Sequence, residues 1–310
     1  MITTVTLNAS IDKAYHMEQG IQNGTVMRVE TCRNSAGGKG LNVARIVKLC
    51  GEEVKATGFV GGFNGAYLEM LLDQDQVPHQ FVKIEGETRS CINILDPKYG
   101  STEYLEPGCT VTEQEEEQFL RNFETIIKDS DIVTISGSVP KGVSKEIYQK
   151  LIEQAKNMGK AVILDTSGEL LKHGLKAKPT MVKPNKDEIE MFFQTKIDKE
   201  EDVIDYAKKI HEMGIPYVVI SLGKDGAVLV CEEGIYHGKP PKIEAVNTVG
   251  CGDSMVGAFA VALSRLSSPE EALRYAVATA TAAALSPNTG DFQKEIQETI
   301  LEQVEINKIS

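Results

Sequence analysis

The sequence lacks any grouping of cysteines or histidines that is typical of a structural metal site. Its six cysteines are scattered over 310 residues without a C-x-x-C pair, and its five histidines form no H-x-x-x-H or H-E-x-x-H motif. These absences argue against structural zinc. Sparse cysteines in a chain of this length fit a reducing compartment better than a disulfide scaffold, so we expect a cytoplasmic protein.

Positive charge is not in excess, and no apolar run is long. The 33 lysines and arginines are outnumbered by 45 acidic residues, which gives a formal net charge of -12. We therefore expect neither a nucleic acid nor an anionic membrane as a partner of the whole surface. The longest apolar run, near residues 255–263, is too short to span a bilayer, and residues 1–10 lack the features of a signal peptide. Any anion site must be built from local backbone dipoles and a few cations.

The chain contains no repeat, low-complexity segment or Pro/Ser-rich linker, so we expect a single domain over residues 1–310. Short β-branched runs predict buried strands at 131–136, 160–165, 180–183 and 217–221. Amphipathic stretches predict helices from 112 to about 128, from 144 to about 158, and from 199 to about 213. A capping box of Thr112 and Glu115 opens the first of these helices. This alternation predicts an α/β fold, in which a parallel sheet carries helices on both faces.

Polar or small residues end several of the predicted strands. In parallel α/β sheets, ligands bind beyond the carboxyl ends of the strands. We therefore expect the strand-end residues to line a site: Ser136, Asp165, Lys183 and Ser221.

Two regions, at about residues 10–36 and 86–108, break this rhythm. They are polar and strand-like and contain no convincing helix. They are consistent with a small β-sheet beside the main domain, or with long surface loops. A separate sheet has one apolar face to bury, so it could cover a site, pack against a second subunit, or do both.

The most informative segment is Asn247-Thr-Val-Gly-Cys-Gly-Asp253, which runs directly into an apolar, helix-forming stretch. A helix that begins here points its unpaired N–H groups and its positive dipole end at whatever lies over Gly250, Cys251 and Gly252. A carboxylate beside an anion cradle would repel the ligand, so its presence there needs an explanation. As a general base, Asp253 would take a proton from an attacking hydroxyl. The alternative is a tight turn with an N-capping aspartate.

A second glycine cluster, Ser35-Ala-Gly-Gly-Lys-Gly-Leu-Asn-Val-Ala-Arg45, opens a helix that is predicted to run to about Leu49. Its glycines allow close approach of a ligand, Asn42 offers a donor and an acceptor, and Lys39 adds a cation. No Gly-Lys pair in the chain precedes Ser or Thr, which excludes a Walker A loop. The glycine spacing also does not fit the dinucleotide fingerprint. The alternative is an ordinary helix N-terminus in a turn.

Two further segments follow predicted strands. In Lys183-Pro-Asn-Lys-Asp-Glu188, Asn185 and Glu188 face one way in a first helical turn. Their oxygens suit Mg²⁺ through water or, alternatively, cap the helix. Ser221-Leu-Gly-Lys-Asp-Gly226 is a strand-end turn that could pass close to a nucleotide. The alternative is an ordinary hairpin connection.

Taken in this order, the segments resemble the ribokinase-like (PfkB) carbohydrate kinases over nearly the whole chain. The first glycine cluster is similar to the N-terminal signature of that family, and residues 247–253 are similar to its C-terminal signature. Asn247 and Cys251 depart from the commoner Asp and Ala, but an anion cradle uses backbone donors. Further segments resemble the 1-phosphofructokinase and tagatose-6-phosphate kinase branch: residues 6–12, 37–40, 86–89, 102–108 and 136–140.

The resemblance implies a doubly wound, ribokinase-like α/β sandwich with a mainly parallel sheet and a β lid, and it implies ATP and Mg²⁺ as cofactors. Asp253 would be the base, and the backbone of residues 250–252 would hold the transferring phosphoryl group. The implied nucleotide-binding residues are Asn185, Ser221, Gly223 and Gly226, with Glu188 and Asn185 placing Mg²⁺. Residues 242–246 and 276–285 are candidate walls for the adenine ring. The implied substrate-binding residues are Asp12, Gly37, Gly38, Lys39, Asn42, Arg89 and Ser136.

Lys39 and Arg89 would hold the phosphate already on the substrate. A kinase for neutral sugars gains nothing from cations in its pocket, whereas a sugar phosphate must be neutralised in a partly dehydrated cleft. The planar fork of Arg89 suits a phosphate, the alternative being a salt bridge within the lid. We expect phosphorylation of a ketohexose phosphate, first fructose 1-phosphate at its 6-hydroxyl and otherwise tagatose 6-phosphate at its 1-hydroxyl. By analogy with the family, the lid would also join two copies in a homodimer.

Overall fold

The computed structural model describes residues 1–197 and 199–309. Its strands, in chain order, are β1 (Ile2–Thr6), β2 (Ser10–His16), β3 (Thr31–Gly37), β4 (Val54–Gly61), β5 (Val82–Ile84), β6 (Arg89–Asp96), β7 (Gly100–Leu105), β8 (Ile132–Ser136), β9 (Ala161–Asp165), β10 (Met181–Val182), β11 (Tyr217–Ser221), β12 (Ala227–Cys231), β13 (Gly234–Lys239) and β14 (Glu305–Lys308). Its helices are α1 (Lys39–Leu49), α2 (Gly62–Gln74), α3 (Glu113–Ile126), α4 (Ile147–Asn157), α5 (Gly168–Lys176), α6 (Lys186–Phe193), α7 (Glu200–Glu212), α8 (Cys251–Ser264), α9 (Pro269–Ala284) and α10 (Lys294–Leu301).

The larger sheet is mainly parallel, as predicted. Its strand order is β14-β13-β12-β11-β10-β9-β8-β1-β4-β5. From β5 to β11 in this order, neighbouring strands are parallel. From β11 to β14 they are antiparallel. This antiparallel edge was not predicted, because β12 and β13 follow tight turns rather than crossover helices.

Helices cover both faces of this sheet, which confirms the doubly wound sandwich. Ile46 of α1 and Phe259 of α8 belong to one buried cluster, and Leu151 of α4 belongs to a second. Val219 and Val218 of β11 belong to the first and second cluster, as expected for successive strand residues that point to opposite faces. Among the described residues, no helix combines the length and apolarity that crossing a bilayer requires.

Most of the predicted elements are confirmed, with ends that differ by one to three residues. The predicted capping box opens α3: the hydroxyl of Thr112 accepts a 3.3 Å hydrogen bond from the backbone N–H of Glu115. The helix predicted from residue 144 begins at Ile147, and the strand predicted at 180–183 is only Met181–Val182. Ends are set by a few capping contacts, so they are less certain than the existence of an element.

A smaller sheet, which we call the lid, has the strand order β3-β2-β6-β7. Its strands lie within the two irregular regions of the sequence, which confirms the small sheet over the alternative of surface loops. The lid is mixed: β2 pairs antiparallel with β3 and parallel with β6, and β6 pairs antiparallel with β7. The two segments are therefore joined side by side through β2 and β6.

Gly257 lies where α8 packs against α1. A Cβ there would lie 2.7 Å from Cγ2 of Ile46 and 3.2 Å from the carbonyl oxygen of Val43, so glycine allows the close approach of the two helices. Gly257→Val should lower the free energy of unfolding by about 1–3 kcal/mol, the range for overpacking a filled core, as measured by urea denaturation. Gly257→Ala, which adds one methyl group, should cost less. A valine variant as stable as the wild type would contradict this packing.

Candidate active site

The site lies where the order of strands in the sheet reverses. β1 is flanked by β4 on one side and β8 on the other, so the chain builds the sheet outward from β1 in both directions. In open α/β sheets, ligands bind outside the carboxyl ends of the strands at such a switch point. Here a cleft of about 1620 Å³ is lined by the lid, by the beginnings of α1 and α8, and by the segment after β13. The predicted site residues that line it are Asp12, Gly38, Lys39, Asn42, Arg89, Asn185, Ser221, Gly223, Gly226, Gly250, Cys251, Gly252 and Asp253.

Gly37 and Ser136 were predicted to contact substrate, but the structure places both behind the wall of the cleft. A Cβ on Gly37 would lie 2.0 Å from Cγ of Asp12, so the glycine makes room for that carboxyl group. Ser136 is 1% exposed, and its hydroxyl has no hydrogen-bond partner among the described residues. These two residues therefore lie outside the lining of the cleft, and their contact with substrate stays a prediction.

The beginning of α8 has the backbone geometry predicted for an anion cradle. Its N-cap, Gly250, has a left-handed conformation with φ of 80°, and a Cβ there would lie 2.6 Å from Cγ2 of Thr289. Glycine is therefore needed for both conformation and space. First-turn N–H groups have no acceptor within their own helix, and residues 250–252 line the cleft at the positive end of the dipole. The Cys251 N–H makes a long hydrogen bond of 3.4 Å to the carbonyl oxygen of Thr248. Burial raises the pKa of the Cys251 thiol to about 11, so the thiol stays protonated beside the cradle.

Asp253 lies in the first turn of α8 and is only 5% exposed. Its Oδ2 accepts a 2.7 Å hydrogen bond from Nδ2 of Asn42 on α1. The pKa of Asp253 is raised from 3.8 to about 6, chiefly by burial and also by Asp165, although Lys39, the bond from Asn42 and Lys183 oppose the shift. Such a carboxyl group is mostly ionised at neutral pH, yet it accepts a proton more readily than an exposed aspartate. This balance suits a general base.

Arg45 is a site residue that the sequence pattern did not single out. Its Nη2 donates a 2.6 Å hydrogen bond to Oδ1 of Asn42, and its Nη1 donates to the carbonyl oxygen of Ala36. Because Oδ1 of Asn42 is held by this donor, the amide nitrogen must face Asp253. Arg45 thereby fixes the orientation of the Asn42 amide. The spacing of three residues, which places both side chains on one face of α1, was the available signal.

Two lysines converge on one buried carboxylate beside the cradle. Nζ of Lys39 lies 3.3 Å from Oδ2 of Asp165, and Nζ of Lys183 lies 3.2 Å from Oδ1. Burial alone would raise the pKa of Asp165, but Lys183 and Lys39 outweigh burial and hold that pKa below 3.8. The ammonium group of Lys39 therefore already pairs with a carboxylate. A substrate phosphate would share this ammonium group with Asp165.

On the lid side, Asp12 and Arg89 line the cleft. The hydroxyl of Ser10 donates a 2.6 Å hydrogen bond to Oδ1 of Asp12, whose pKa is raised by burial. Arg89 donates from Nε and Nη2 to the carbonyl oxygen of Asn8, at 3.1 and 2.9 Å, and from Nη1 to that of Glu106 at 2.8 Å. These partners are carbonyls, not the carboxylate of a lid salt bridge. Two of the five guanidinium N–H donors remain for an anion.

Asn185 and Glu188 open α6 as a reciprocal capping box. Oδ1 of Asn185 accepts a 2.8 Å hydrogen bond from the Glu188 N–H, and Oε2 of Glu188 accepts a 2.9 Å bond from the Asn185 N–H. The capping alternative is therefore confirmed. Asn185 lines the cleft and Glu188 stands behind it, half-buried, with its pKa raised by burial and by Asp165. Oε1 of Glu188 takes no part in the cap.

The far end of the cleft has a hairpin turn on one wall and small residues on another. Ser221 ends β11, and a 3₁₀ turn at Gly223–Asp225 leads into β12, so the hairpin alternative is also confirmed. The same turn lines the cleft. Both segments predicted as adenine walls contribute lining residues as well: Lys242, Ile243, Ala245, Val277, Ala280, Thr281 and Ala284.

A buried carboxylate, a backbone anion cradle and a cationic lid thus face one cleft. This set of groups defines a phosphotransferase, because phosphoryl transfer to a hydroxyl depends mainly on positioning and on stabilising charge. Residues 5–296 match the family model described as pfkB family carbohydrate kinase. The chain belongs to this family of carbohydrate kinases.

Similar proteins cover the chain from end to end. The sequence is 35% identical over 309 residues to 1-phosphofructokinase of Bacillus subtilis, with 100% of each chain covered. It is 37% identical over 314 residues to tagatose-6-phosphate kinase of Staphylococcus epidermidis, again with 100% of each chain covered. The fold matches phosphofructokinase-2 of Escherichia coli in complex with potassium, with a TM-score of 0.92, 32% identity, and 97% of this chain and 98% of that chain covered. That Escherichia coli enzyme has also been solved in a tetrameric inhibited form.

The raised pKa of Asp253 predicts a cost in stability above pH 6. The carboxyl group has a pKa of about 6 when folded and about 3.8 when unfolded, so folding is favoured by its protonation. The stabilisation from protonated Asp253 is fully present below pH 3.8. As the pH rises through 6, this stabilisation is lost, and the free energy of unfolding falls by roughly 3 kcal/mol. Asp253→Asn should therefore raise the urea midpoint at pH 8, and the gain should shrink as the pH falls towards 4.

Asp131→Asn provides the matched control. Asp131 is exposed, and its pKa is lowered by a hydrogen bond and charge attraction from the N-terminal amine. Its replacement should give no stabilisation at pH 8. If Asp253→Asn changes the urea midpoint equally at pH 8 and pH 4, ionisation of the buried carboxylate does not lower the stability of the fold, and the prediction is wrong.

Proposed function

We propose that this chain is an ATP-dependent kinase that transfers a phosphoryl group to the 6-hydroxyl of fructose 1-phosphate, giving fructose 1,6-bisphosphate. The observation that carries the proposal is the buried Asp253 beside the cradle of residues 250–252, with Arg89 of the lid in the same cleft. The full-length similarity to 1-phosphofructokinase of Bacillus subtilis supports this substrate. We place the reaction in the cytoplasm, where the six free cysteines stay reduced.

In this proposal, Asp253 takes the proton of the attacking hydroxyl. The sugar oxygen forms a bond to the γ-phosphorus as the bond to the bridging β,γ-oxygen breaks, and ADP leaves with that electron pair. The N–H groups of Gly250, Cys251 and Gly252 donate to the equatorial oxygens of the transferring group, where charge is spread in the transition state. Asn42, oriented by Arg45, holds the carboxylate towards the hydroxyl.

The sugar phosphate would lie between the lid and α1. Asp12, Gly38 and Asn42 line this part of the cleft and can bind sugar hydroxyls. Arg89 would offer its two unused donors to the phosphate already on the sugar, and Lys39, at the start of α1, would bind the same phosphate. ATP would occupy the other end, against Ser221 and the turn at Gly223–Asp225, with its adenine beside α9.

Mg²⁺ fits the residues present if ATP and water supply most of its ligands. No cluster of three or more His, Cys, Asp or Glu residues suited to a metal occurs in the described part of the chain. Mg²⁺ usually keeps several waters and binds through one or two carboxylates together with substrate phosphates. Oε1 of Glu188 is left over from the capping box, and Asn185 lines the cleft beside it. When bound, the ion would supply charge neutralisation on the phosphates.

A second candidate substrate is tagatose 6-phosphate, phosphorylated at its 1-hydroxyl. It is favoured by the 37% identity to tagatose-6-phosphate kinase of Staphylococcus epidermidis. Both substrates carry a phosphate at one end and the attacking hydroxyl at the other, so the same groups of the cleft serve either.

Steady-state kinetics with the two sugars test the proposed substrate. We expect a kcat/KM for fructose 1-phosphate at least tenfold above that for tagatose 6-phosphate, with fructose as a phosphate-free control that reacts poorly. A higher kcat/KM for tagatose 6-phosphate would reverse the ranking. Failure of both sugar phosphates would reject the proposed substrate class.

Two substitutions should affect kcat and KM separately. Asp253→Asn should lower kcat by about 10²–10⁴-fold, the usual range for a general base, with little change in the affinity for ATP. Arg89→Ala should mainly raise KM for the sugar phosphate, because the arginine binds a group that does not react. Near-wild-type turnover of Asp253→Asn, or an unchanged KM in Arg89→Ala, would contradict the respective assignment.

We propose further that two copies associate through the lid. Large apolar side chains stand exposed on and beside it: Val26 is 95%, Tyr104 is 59% and Leu105 is 64% exposed. Tyr104 and Leu105 are consecutive residues of β7 and face opposite sides of the lid, and Leu105 lines the cleft. Val26 and Tyr104 are therefore the exposed apolar residues that we assign to the interaction surface. The tetrameric form of the related Escherichia coli enzyme supports self-association within the family.

Sedimentation velocity should show a dimer, and Tyr104→Asp should shift it towards the monomer because a charge would be buried in the interface. Leu266→Asp is the control, since Leu266 is 92% exposed but lies after α8, outside the lid. A wild-type monomer, or equal dissociation by both substitutions, would contradict the lid interface.

A further inference from the structure

His237 is a buried histidine of the cleft to which no role has been given so far. It lies on β13 and is only 3% exposed, and yet it lines the cleft. Its Nε2 lies 2.9 Å from the carbonyl oxygen of Asp225. Because a carbonyl oxygen can only accept, Nε2 carries a proton and donates it to this hydrogen bond. The ring therefore binds the backbone of the turn that is proposed to lie against ATP.

The 3₁₀ turn at Gly223–Asp225, which we call the 223–225 turn, projects past the paired strands. It connects β11 to β12, whose pairing ends before the turn. At its base, the N–H of Leu222 donates a 2.8 Å hydrogen bond to the carbonyl oxygen of Gly226. This bond closes the turn but does not attach it to the rest of the sheet. The bond from His237 attaches the turn to β13.

The residue that follows the turn packs directly on β13. Gly226 has a φ of 86°, and a Cβ there would overlap the carbonyl oxygen of Gly238. Glycine is therefore needed for both the conformation and the close approach of the two backbones. His237 and Gly238 are consecutive, so one short stretch of β13 contacts both the end of the turn and the residue after it.

The same stretch of β13 also contacts α9. A Cβ on Gly238 would lie 3.0 Å from Cγ of Leu273 and 3.1 Å from Cγ2 of Val277, so glycine lets α9 pack closely on the strand. Val277 lines the cleft as well. The part of the cleft between the 223–225 turn and α9, which we call the nucleotide slot, therefore has both of its walls resting on the end of β13.

We propose that His237 is a positioning residue for nucleotide binding: its hydrogen bond to the carbonyl oxygen of Asp225 fixes the 223–225 turn relative to α9 and so sets the width of the nucleotide slot. This inference rests on the proposed ATP-dependent transfer, but not on the identity of the sugar. His237 acts through the turn and not on the reacting atoms. It therefore determines the affinity for the nucleotide rather than the rate of phosphoryl transfer.

Two amide substitutions with different reach test this hydrogen bond. His237→Gln keeps an N–H donor at about the position of Nε2, whereas His237→Asn carries the same amide one carbon closer to the backbone and His237→Leu has no donor. In titration calorimetry with ADP and Mg²⁺, the glutamine variant should bind within about twofold of the wild type, and the other two should bind about 3–10-fold more weakly, the effect of one hydrogen bond. Equal affinity in all variants, or equal weakening in all three, would overturn the proposal. If the leucine variant does not fold, the comparison of glutamine with asparagine still decides.

His211→Leu is the matched control. Nδ1 of His211 lies 2.8 Å from the carbonyl oxygen of Ile215 at the end of α7, and neither residue lines the cleft. This substitution also removes a contact between a histidine and a carbonyl, so it should leave the affinity for ADP unchanged. Weakening equal to that in His237→Leu would show a general loss of stability and would overturn the proposal.

Steady-state kinetics separate positioning from catalysis. In His237→Asn and His237→Leu, KM for ATP should rise about 3–10-fold, while kcat and KM for the sugar phosphate should stay within about twofold of the wild type. A fall in kcat without a rise in KM for ATP would contradict the positioning role.

Amide hydrogen exchange in the ligand-free protein tests the turn itself. The N–H of Gly226 donates a 3.1 Å hydrogen bond to the carbonyl oxygen of Gly223. This amide should exchange faster in His237→Asn and His237→Leu than in the wild type, and at the wild-type rate in His237→Gln, because a turn with fewer attachments opens more often. Unchanged exchange in His237→Leu would overturn the proposal. Absence of ADP binding by the wild type would instead reject the proposed ATP-dependent function.

Discussion

The hydrogen bond between Asn42 and Asp253 is the interaction on which the rest of the site depends. It joins residues 211 positions apart and holds the beginnings of α1 and α8 together above the carboxyl ends of the strands. Both helices have a glycine N-cap, which lets their first turns approach each other and a ligand. Arg45 fixes the amide of Asn42, and the turn that carries Asp253 also supplies the anion cradle. The base and the cradle are therefore placed by the same contact.

The chemistry and the stability of the site oppose each other. Burial of Asp253 gives its carboxyl group the proton affinity of a general base, and the same burial costs free energy of folding whenever the group is ionised. Lys39 reduces this cost, while the neighbouring Asp165 increases it. Asp165 is itself kept ionised by two lysines, one of which lies against the cradle. Perturbed carboxyl groups of this kind are typical of functional sites.

The sequence was most informative where structure is decided locally. Glycine clusters followed directly by apolar periodic runs predicted the starts of α1 and α8, and the Thr112 capping box predicted the start of α3, because each depends on a few adjacent residues. The lid was only one of two alternatives, since its strands pair across more than 70 residues of chain. The hairpin after β11 was also only one of two alternatives, because a hairpin turn and a ligand-binding turn have the same glycine pattern, and the rest of the antiparallel edge was missed.

At the site itself, the sequence could not predict in which direction the side chains point. Ser136 lies at the end of a strand, as predicted, but its hydroxyl points into the interior, because strand alternation and not position along the strand decides which side chains face the cleft. The Lys39–Asp165 pair joins residues 126 positions apart, so no local pattern could reveal it. Arg45 could have been found from its spacing to Asn42. The fold and the residues that form the proposed cradle and the proposed base were thus accessible to sequence reasoning, whereas the charge network behind them was not.

The proposed chemistry depends on Asp253 being a buried carboxyl group that accepts a proton near neutral pH. A carbon-13 NMR titration of the enzyme labelled at aspartate side-chain carboxyl carbons measures this directly, with Asp253→Asn assigning the resonance. We expect a single titration of that resonance with a midpoint at about pH 6. A midpoint near 3.8, the ordinary value for aspartate, would contradict it.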